Sequence, residues 1–171
     1  MRFAFLTASA RPSRHLVVVT KSKALRNGLV LWDEVALEVS KEFFKVKWEK
    51  ELVDAMTVRM VKKPQTIDTV VGTNLHMDIL SDLASALTGS IGIAPSSNLD
   101  PERNCPSMFE PVHGSAFDIV GKGLANPVGA IGFKNGLVRS VMPKRYLARS
   151  KRPWKPGFVL EIWEGQQAHL N

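Results

Sequence analysis

Residues 16–20 read LVVVT, a run with four apolar and four β-branched members, and such a run reads as a buried strand. Residues 1–10 are mostly good helix formers and stop before Pro12. After the strand, Leu25, Leu29, Trp32, Ala36, Val39 and Phe43 recur at steps of four and three. That spacing predicts an amphipathic helix, with Asp33, Glu34, Lys41 and Glu42 on its polar face. Val46 and Trp48 then alternate with Lys47 and Glu49, which predicts a half-buried strand over 46–53. Asp54 suits the cap of a helix running to Lys62, which Pro64 closes. Residues 69–73, TVVGT, form a further short strand. A helix is expected over roughly 76–88, with Met77, Leu80, Leu83, Ala84 and Leu87 inward and Gly89 at its end. Strands and helices in alternation predict an α/β protein.

Beyond Gly89 the chain is irregular as far as residue 107. Residues 108–127, MFEPVHGSAFDIVGKGLANP, are dense in glycine and proline. Glycine lets a backbone approach a ligand closely. A loop built as His113-Gly114-Ser115-Ala116 aims N–H groups, a hydroxyl and an imidazole at one small target. Asp118 accepts bonds from a sugar hydroxyl and repels a phosphate. The plainer reading is an ordinary surface loop.

The net charge of +7 is a property of the tail. Residues 134–171 hold eight Lys+Arg against two Asp+Glu, while the remainder is nearly balanced. The excess is therefore not a nucleic-acid face on the whole domain, and nucleic acid is not an expected partner. A strand over 158–163 is the one element expected in this tail. The single cysteine, Cys105, excludes an internal disulfide framework and fits a reducing compartment, so a cytoplasmic location is expected. No apolar run is long enough to span a bilayer, no membrane partner is expected, and the opening apolar piece is too short for a signal peptide.

Two constellations carry chemistry. Asp78 and Asp82 lie four apart on one helix, so they share a face. Like charges at that spacing repel by a few tenths of a kcal/mol, and a hard divalent cation reverses the sign. A solvated helix face is the bland alternative. Lys21 directly follows the buried strand, where a reactive group is held firmly. A nearby cation and partial burial would make it available as a neutral base. An ordinary surface lysine is the competing reading.

The stretch EPVHGSAxDIxGKGxANP closely resembles the adenosine-binding loop of the β-decarboxylating dehydrogenases, the isocitrate/isopropylmalate dehydrogenase family. The similarity covers roughly residues 1–133, and RFAFLTASARPSRHLVVVTKSKALRNGLVLWDEV looks closest to the tartrate/D-malate branch. No GxGxxG occurs, and the family binds its dinucleotide with a differently built loop. The resemblance implies an isopropylmalate dehydrogenase-like α/β fold. Residues 1–89 would be a dimerisation and metal-binding part, 90–133 part of the NAD-binding region, and 134–171 a basic tail outside the family pattern. It implies a homodimer, with Mg²⁺ or Mn²⁺ at Asp78 and Asp82 and at Asp54 of a second subunit. Lys21 would serve proton transfer at the substrate hydroxyl across the dimer interface. Glu110 would sit near the nicotinamide ribose, and His113, Gly114, Ser115, Ala116, Asp118 and Asn126 would hold the adenosine end. Asn74 matches an asparagine beside the cofactor and reads equally as a helix cap.

The implied reaction is NAD-linked oxidation of a small 2-hydroxy acid, such as tartrate, D-malate or 3-isopropylmalate, followed by loss of the 3-carboxylate as CO₂. NAD is expected over NADP because of Asp118. Two departures stand out: Phe117 replaces the usual proline, and His76-Met77 replaces the usual Phe-Gly. The family's substrate-binding arginines and catalytic tyrosine would precede Met1, and its two closing helices are not recognisable after Phe133. The chain thus resembles an internal piece, expected to turn over poorly alone. A non-catalytic dimerisation or interaction role with a vestigial nucleotide loop is the alternative.

Overall fold

The computed structural model describes residues 1–102 and 104–132, and the backbone of 159–163. The chain divides into two compact units, residues 1–84 with the described strand 159–163, and residues from 85 onward.

The first unit is built on a parallel sheet. Helix α1 (Arg2–Ala10) leads into β1 (His15–Thr20), followed by α2 (Arg26–Ser40), β2 (Lys47–Leu52), α3 (Val53–Lys62), β3 (Thr69–Thr73) and α4 (Asn74–Leu87). The strand order is β2-β1-β3, and the backbone of Val159–Trp163 pairs in parallel on the far side of β3. β1 is therefore central. Leu16 and Val18 point into one core with Ala4, Phe5 and Ala8 of α1 and Ala36 and Val39 of α2. Val17 and Val19 point into the other, with Met56 and Met60 of α3 and Met77, Leu80 and Ala84 of α4. Burial of each such side chain stabilises by about 1.5–3 kcal/mol, so four consecutive strand residues serve both cores.

The path between strands explains the two layers. The chain passes from β1 to β2 through α2, then returns across β1 to β3 through α3. Crossovers of one hand that run in opposite directions put their helices on opposite faces. Polar ties close the unit: Arg11 bonds Asp68 through Nε at 2.5 Å, and Arg59 joins Glu49, Glu51 and Thr66. Phe5 stacks on Phe43 at 5.4 Å and meets Trp48 edge-on.

Several boundaries differ from the sequence expectation. Asp54 lies in the first turn of α3, where its charge faces the helix dipole, and Leu52 takes the cap position. Asn74 is the first residue of α4 and not a residue ahead of it. Leu25 and Leu87, at the ends of their apolar stripes, are exposed.

In the second unit β4 (Pro95–Asn98) pairs antiparallel with β5 (Met108–Pro111), which the sequence did not suggest. A short 3₁₀ turn at Phe117–Ile119 follows. Of the tail, the strand alone falls among the described residues, as Val159–Trp163.

Candidate active site

β1, β2 and β3 are parallel and in register, Thr20 opposite Leu52 and Val18 opposite Val71, so their carboxyl ends lie side by side. Lys21, Val53-Asp54 and Asn74 leave the sheet at that edge. After β1 the chain turns to the α2 layer, and after the neighbouring β3 it turns to the α4 layer. Where adjacent strands diverge in this way a crevice forms, the usual ligand position in open α/β sheets.

Lys21 is half-buried and forms an ion pair and hydrogen bond with Asp54, whose side chain is 65% exposed. The bond from Lys21, with backbone N–H groups of its own turn, holds the Asp54 carboxyl below the usual carboxylate range. His76 stands near Lys21 and is 5% exposed, with Nδ1 buried and without a hydrogen-bond partner. Burial, and then the Lys21 charge, push its imidazole down, so it is held neutral. Sequence reasoning noted His76 only as a departure from the family pattern and missed its place beside the lysine.

Asp78 and Asp82 are exposed on α4, away from the core stripe of Met77, Leu80 and Ala84. Among the described residues neither joins an ion pair, and no three His, Cys, Asp or Glu side chains gather within this one chain to hold a metal. Asp54 is thus not brought to Asp78 and Asp82 by its own chain. Met77, which stands where the family usually has glycine, is fully buried. A Cβ on Gly72 would lie 2.7 Å from its sulfur, so the missing side chain on β3 makes room for it.

The glycine-rich loop belongs to the second unit. Val112 N–H donates to the Ala94 carbonyl at 3.0 Å, which ties the loop base to the strand pair. His113 Nδ1 lies 2.9 Å from the Gly114 carbonyl, which can only accept, so this nitrogen carries the proton. Gly114, Ser115, Ala116 and Asp118 are exposed, as is Glu110 on β5. Ala116 adopts a left-handed conformation, φ +46°, uncommon outside glycine. Asn126 Oδ1 accepts from Val128 N–H, so its carbonyl caps the next turn.

The family profile described as isocitrate/isopropylmalate dehydrogenase matches residues 1–141. This chain belongs to that family. Within the isocitrate/isopropylmalate dehydrogenase family, a probable tartrate dehydrogenase/decarboxylase of Agrobacterium vitis is 70% identical over 128 residues, which is 75% of this chain and 36% of that protein. The decarboxylating D-malate dehydrogenase of Escherichia coli is 48% identical over 131 residues, 77% of this chain and 36% of that protein. Among solved structures, isocitrate dehydrogenase from Methylococcus capsulatus aligns with a TM-score of 0.77 at 35% identity, over 82% of this chain and 41% of that one. A β-decarboxylating dehydrogenase from Thermococcus kodakarensis aligns at 0.71 and 40% identity, over 81% and 40% of the two chains. The chain therefore spans little more than a third of the length of these curated relatives. Among the described residues no helix is long and apolar enough to cross a membrane.

Proposed function

We propose that this chain carries the proton-transfer and metal-binding part of a NAD-linked decarboxylating dehydrogenase acting on a small 2-hydroxy acid of the tartrate or D-malate type. The observation that carries this reading is Lys21, ion-paired with Asp54 at the carboxyl end of a doubly buried parallel strand. The relatives named tartrate dehydrogenase/decarboxylase and D-malate dehydrogenase support the substrate class.

Asp78 and Asp82 fit a hard divalent cation: they are paired carboxylates one helical turn apart, exposed and outside any described ion pair. Together with Asp54 of the partner subunit they would hold Mg²⁺ or Mn²⁺ in a homodimer. When bound, the metal supplies polarisation of the substrate hydroxyl and adjacent carboxylate, and NAD supplies a hydride acceptor. Lys21 moves the proton at the substrate hydroxyl oxygen. Its ion pair with Asp54 holds the amine at the strand end. By the family resemblance Asn74 would contact the cofactor. By the same resemblance Glu110 would serve the nicotinamide ribose, and His113, Gly114, Ser115, Ala116 and Asn126 would hold the adenosine end. Asp118 there accepts from a ribose hydroxyl and disfavours a 2′-phosphate.

Calorimetry with Mn²⁺ tests the metal assignment. The Asp78→Asn/Asp82→Asn variant is expected to lose more than the roughly 10–100-fold in affinity that changes outside the ligand set cost. Equal affinity of variant and unaltered chain would refute it.

A further inference from the structure

The turn that carries Lys21 is held by a frame that none of the roles assigned above explains. Trp32 Nε1 on α2 donates to the carbonyl of Val19, two residues before the lysine, at 3.1 Å. Ser22, one residue after it, donates its N–H to Thr20 Oγ1 at 3.3 Å, and both residues are buried. The Lys21 carbonyl accepts from the N–H groups of Ala24 and Leu25, each at 2.9 Å. Asp33, next to Trp32 on α2, completes the frame. Its side chain is 15% exposed, Oδ2 accepts from Lys50 Nζ of β2 at 2.9 Å, and Oδ1 is fully buried. Burial works to raise this carboxyl, but the Ser22 hydroxyl, Lys50 and the Thr20 hydroxyl together outweigh it and leave it below the usual range. The Oδ1 atom is buried and has no hydrogen-bond partner of ordinary geometry.

A helix packed on an apolar core has no need of a buried carboxylate. Burying one is costly unless neighbouring groups compensate, and here the compensating groups are those on either side of Lys21 and a lysine on the next strand. Among the described residues the Lys21 side chain itself is tied through its tip, to an exposed aspartate. What fixes the direction in which it leaves the sheet is therefore the backbone of residues 19–22, and that backbone is gripped from α2.

We propose that Trp32 and Asp33 are positioning residues for Lys21: Trp32 holds the Val19 carbonyl, and Asp33, packed buried beside it and tied to Lys50 of β2, fixes α2 against the strand ends, so that together they set the direction and reach of the lysine amine. The importance of this frame rests on Lys21 being the proton-transfer group. Its test uses no substrate, metal or NAD, so it can fail while that reading stands, and the reverse.

The experiment uses the full chain and the variants Asp33→Ala, Trp32→Phe and Lys50→Met. Amide hydrogen exchange is followed at Ser22 and, as an internal reference, at Val18 in the middle of β1. Acylation of Lys21 under native conditions is followed by peptide mass spectrometry, relative to the exposed Lys62. Asp33→Ala and Trp32→Phe are expected to speed exchange at Ser22 by roughly five- to tenfold, the fold-change of one lost hydrogen bond, with Val18 unchanged. The Lys21:Lys62 labelling ratio is expected to move with them by about threefold or more, as the lysine samples more directions. Lys50→Met, which removes only the counter-charge, is expected to give a smaller shift of the same kind. Parallel acceleration at Ser22 and Val18 would reduce the frame to a general stabiliser and overturn the proposal. So would a labelling ratio that stays constant while Ser22 exchange rises. Should Asp33→Ala fail to fold, Trp32→Phe and Ser22→Ala decide between the same outcomes.

Discussion

Two phenylalanines mark the contrast between the units. Phe5 is fully buried between α1, β1 and the rings of Phe43 and Trp48, while Phe117 in the glycine-rich loop is 85% exposed. Around Phe5, apolar side chains set the backbone, and the polar groups at the strand ends inherit their positions from that packing. Around Phe117, Val120 and Leu124 are exposed as well, and the backbone is set by turns at Ala116, Gly121 and Gly123. One unit places chemistry by packing a core beneath it. The other places chemistry by the conformations its backbone residues allow.

The largest expected effect tests that contrast directly. Phe5→Ala should destabilise the chain by about 3–5 kcal/mol in urea unfolding, as large-to-small core changes do. Phe117→Ala should stay within about 0.5 kcal/mol, as surface changes do. Similar losses for the two would break the comparison.

A smaller effect sharpens it within the sheet unit. Gly72→Ala places a Cβ 2.7 Å from the Met77 sulfur, and overpacking of this kind costs about 1–3 kcal/mol. Met77→Ala in the same chain should recover part of the loss, a non-additivity readable in a double-mutant cycle. Simple additivity would mean that the two side chains do not share the space.

The smallest concerns acid. Burial works to raise the Asp68 carboxyl, but hydrogen bonds from Arg11 and Ser13 outweigh it, and its folded pKa lies below the ordinary value. A depressed folded pKa contributes stability that is present above the unfolded value, about 3.9, and lost as pH falls through the folded one. Asp68→Asn should therefore flatten the decline in stability below about pH 4, while lowering stability at pH 7 by about 1 kcal/mol. The side chains of the Arg11–Asp68 pair are only 18% exposed, which keeps this effect above that of a surface pair. An unchanged acid limb would remove Asp68 from the account.

Where packing sets the structure, local sequence was informative. LVVVT announced a strand without saying which side chains feed which core, because that depends on strand order, and strand order is a property of crossovers far apart in the chain. The spacing from Leu29 to Val39 gave α2, and its polar face hid Asp33 among ordinary charges. Only the fold shows that Asp33 lies beside Thr20 and Ser22, a pairing with no local signature. The capping role read for Asp54 failed by two positions, since the strand runs straight into α3 and its last residue, Leu52, takes the cap position. In the loop, the motif disclosed which residues matter to the family but not their geometry, so the turn of Asn126 Oδ1 onto Val128 N–H came as new information. The pairing of Pro95–Asn98 with Met108–Pro111 was illegible because proline brackets both segments and neither alternates.

The hollow over Gly72 bears on how this protein can change over generations. Positions 72 and 77 lie on different elements but share one small volume, and whatever bulk one gains the other must give up. A smaller residue at 77 eases a side chain at 72, whereas methionine at 77 makes any side chain at 72 costly. Drift at either site is therefore conditional on the other. Because position 77 precedes Asp78, that coupled pair also bears on how far α4 can shift its carboxylates without losing its seat on the sheet.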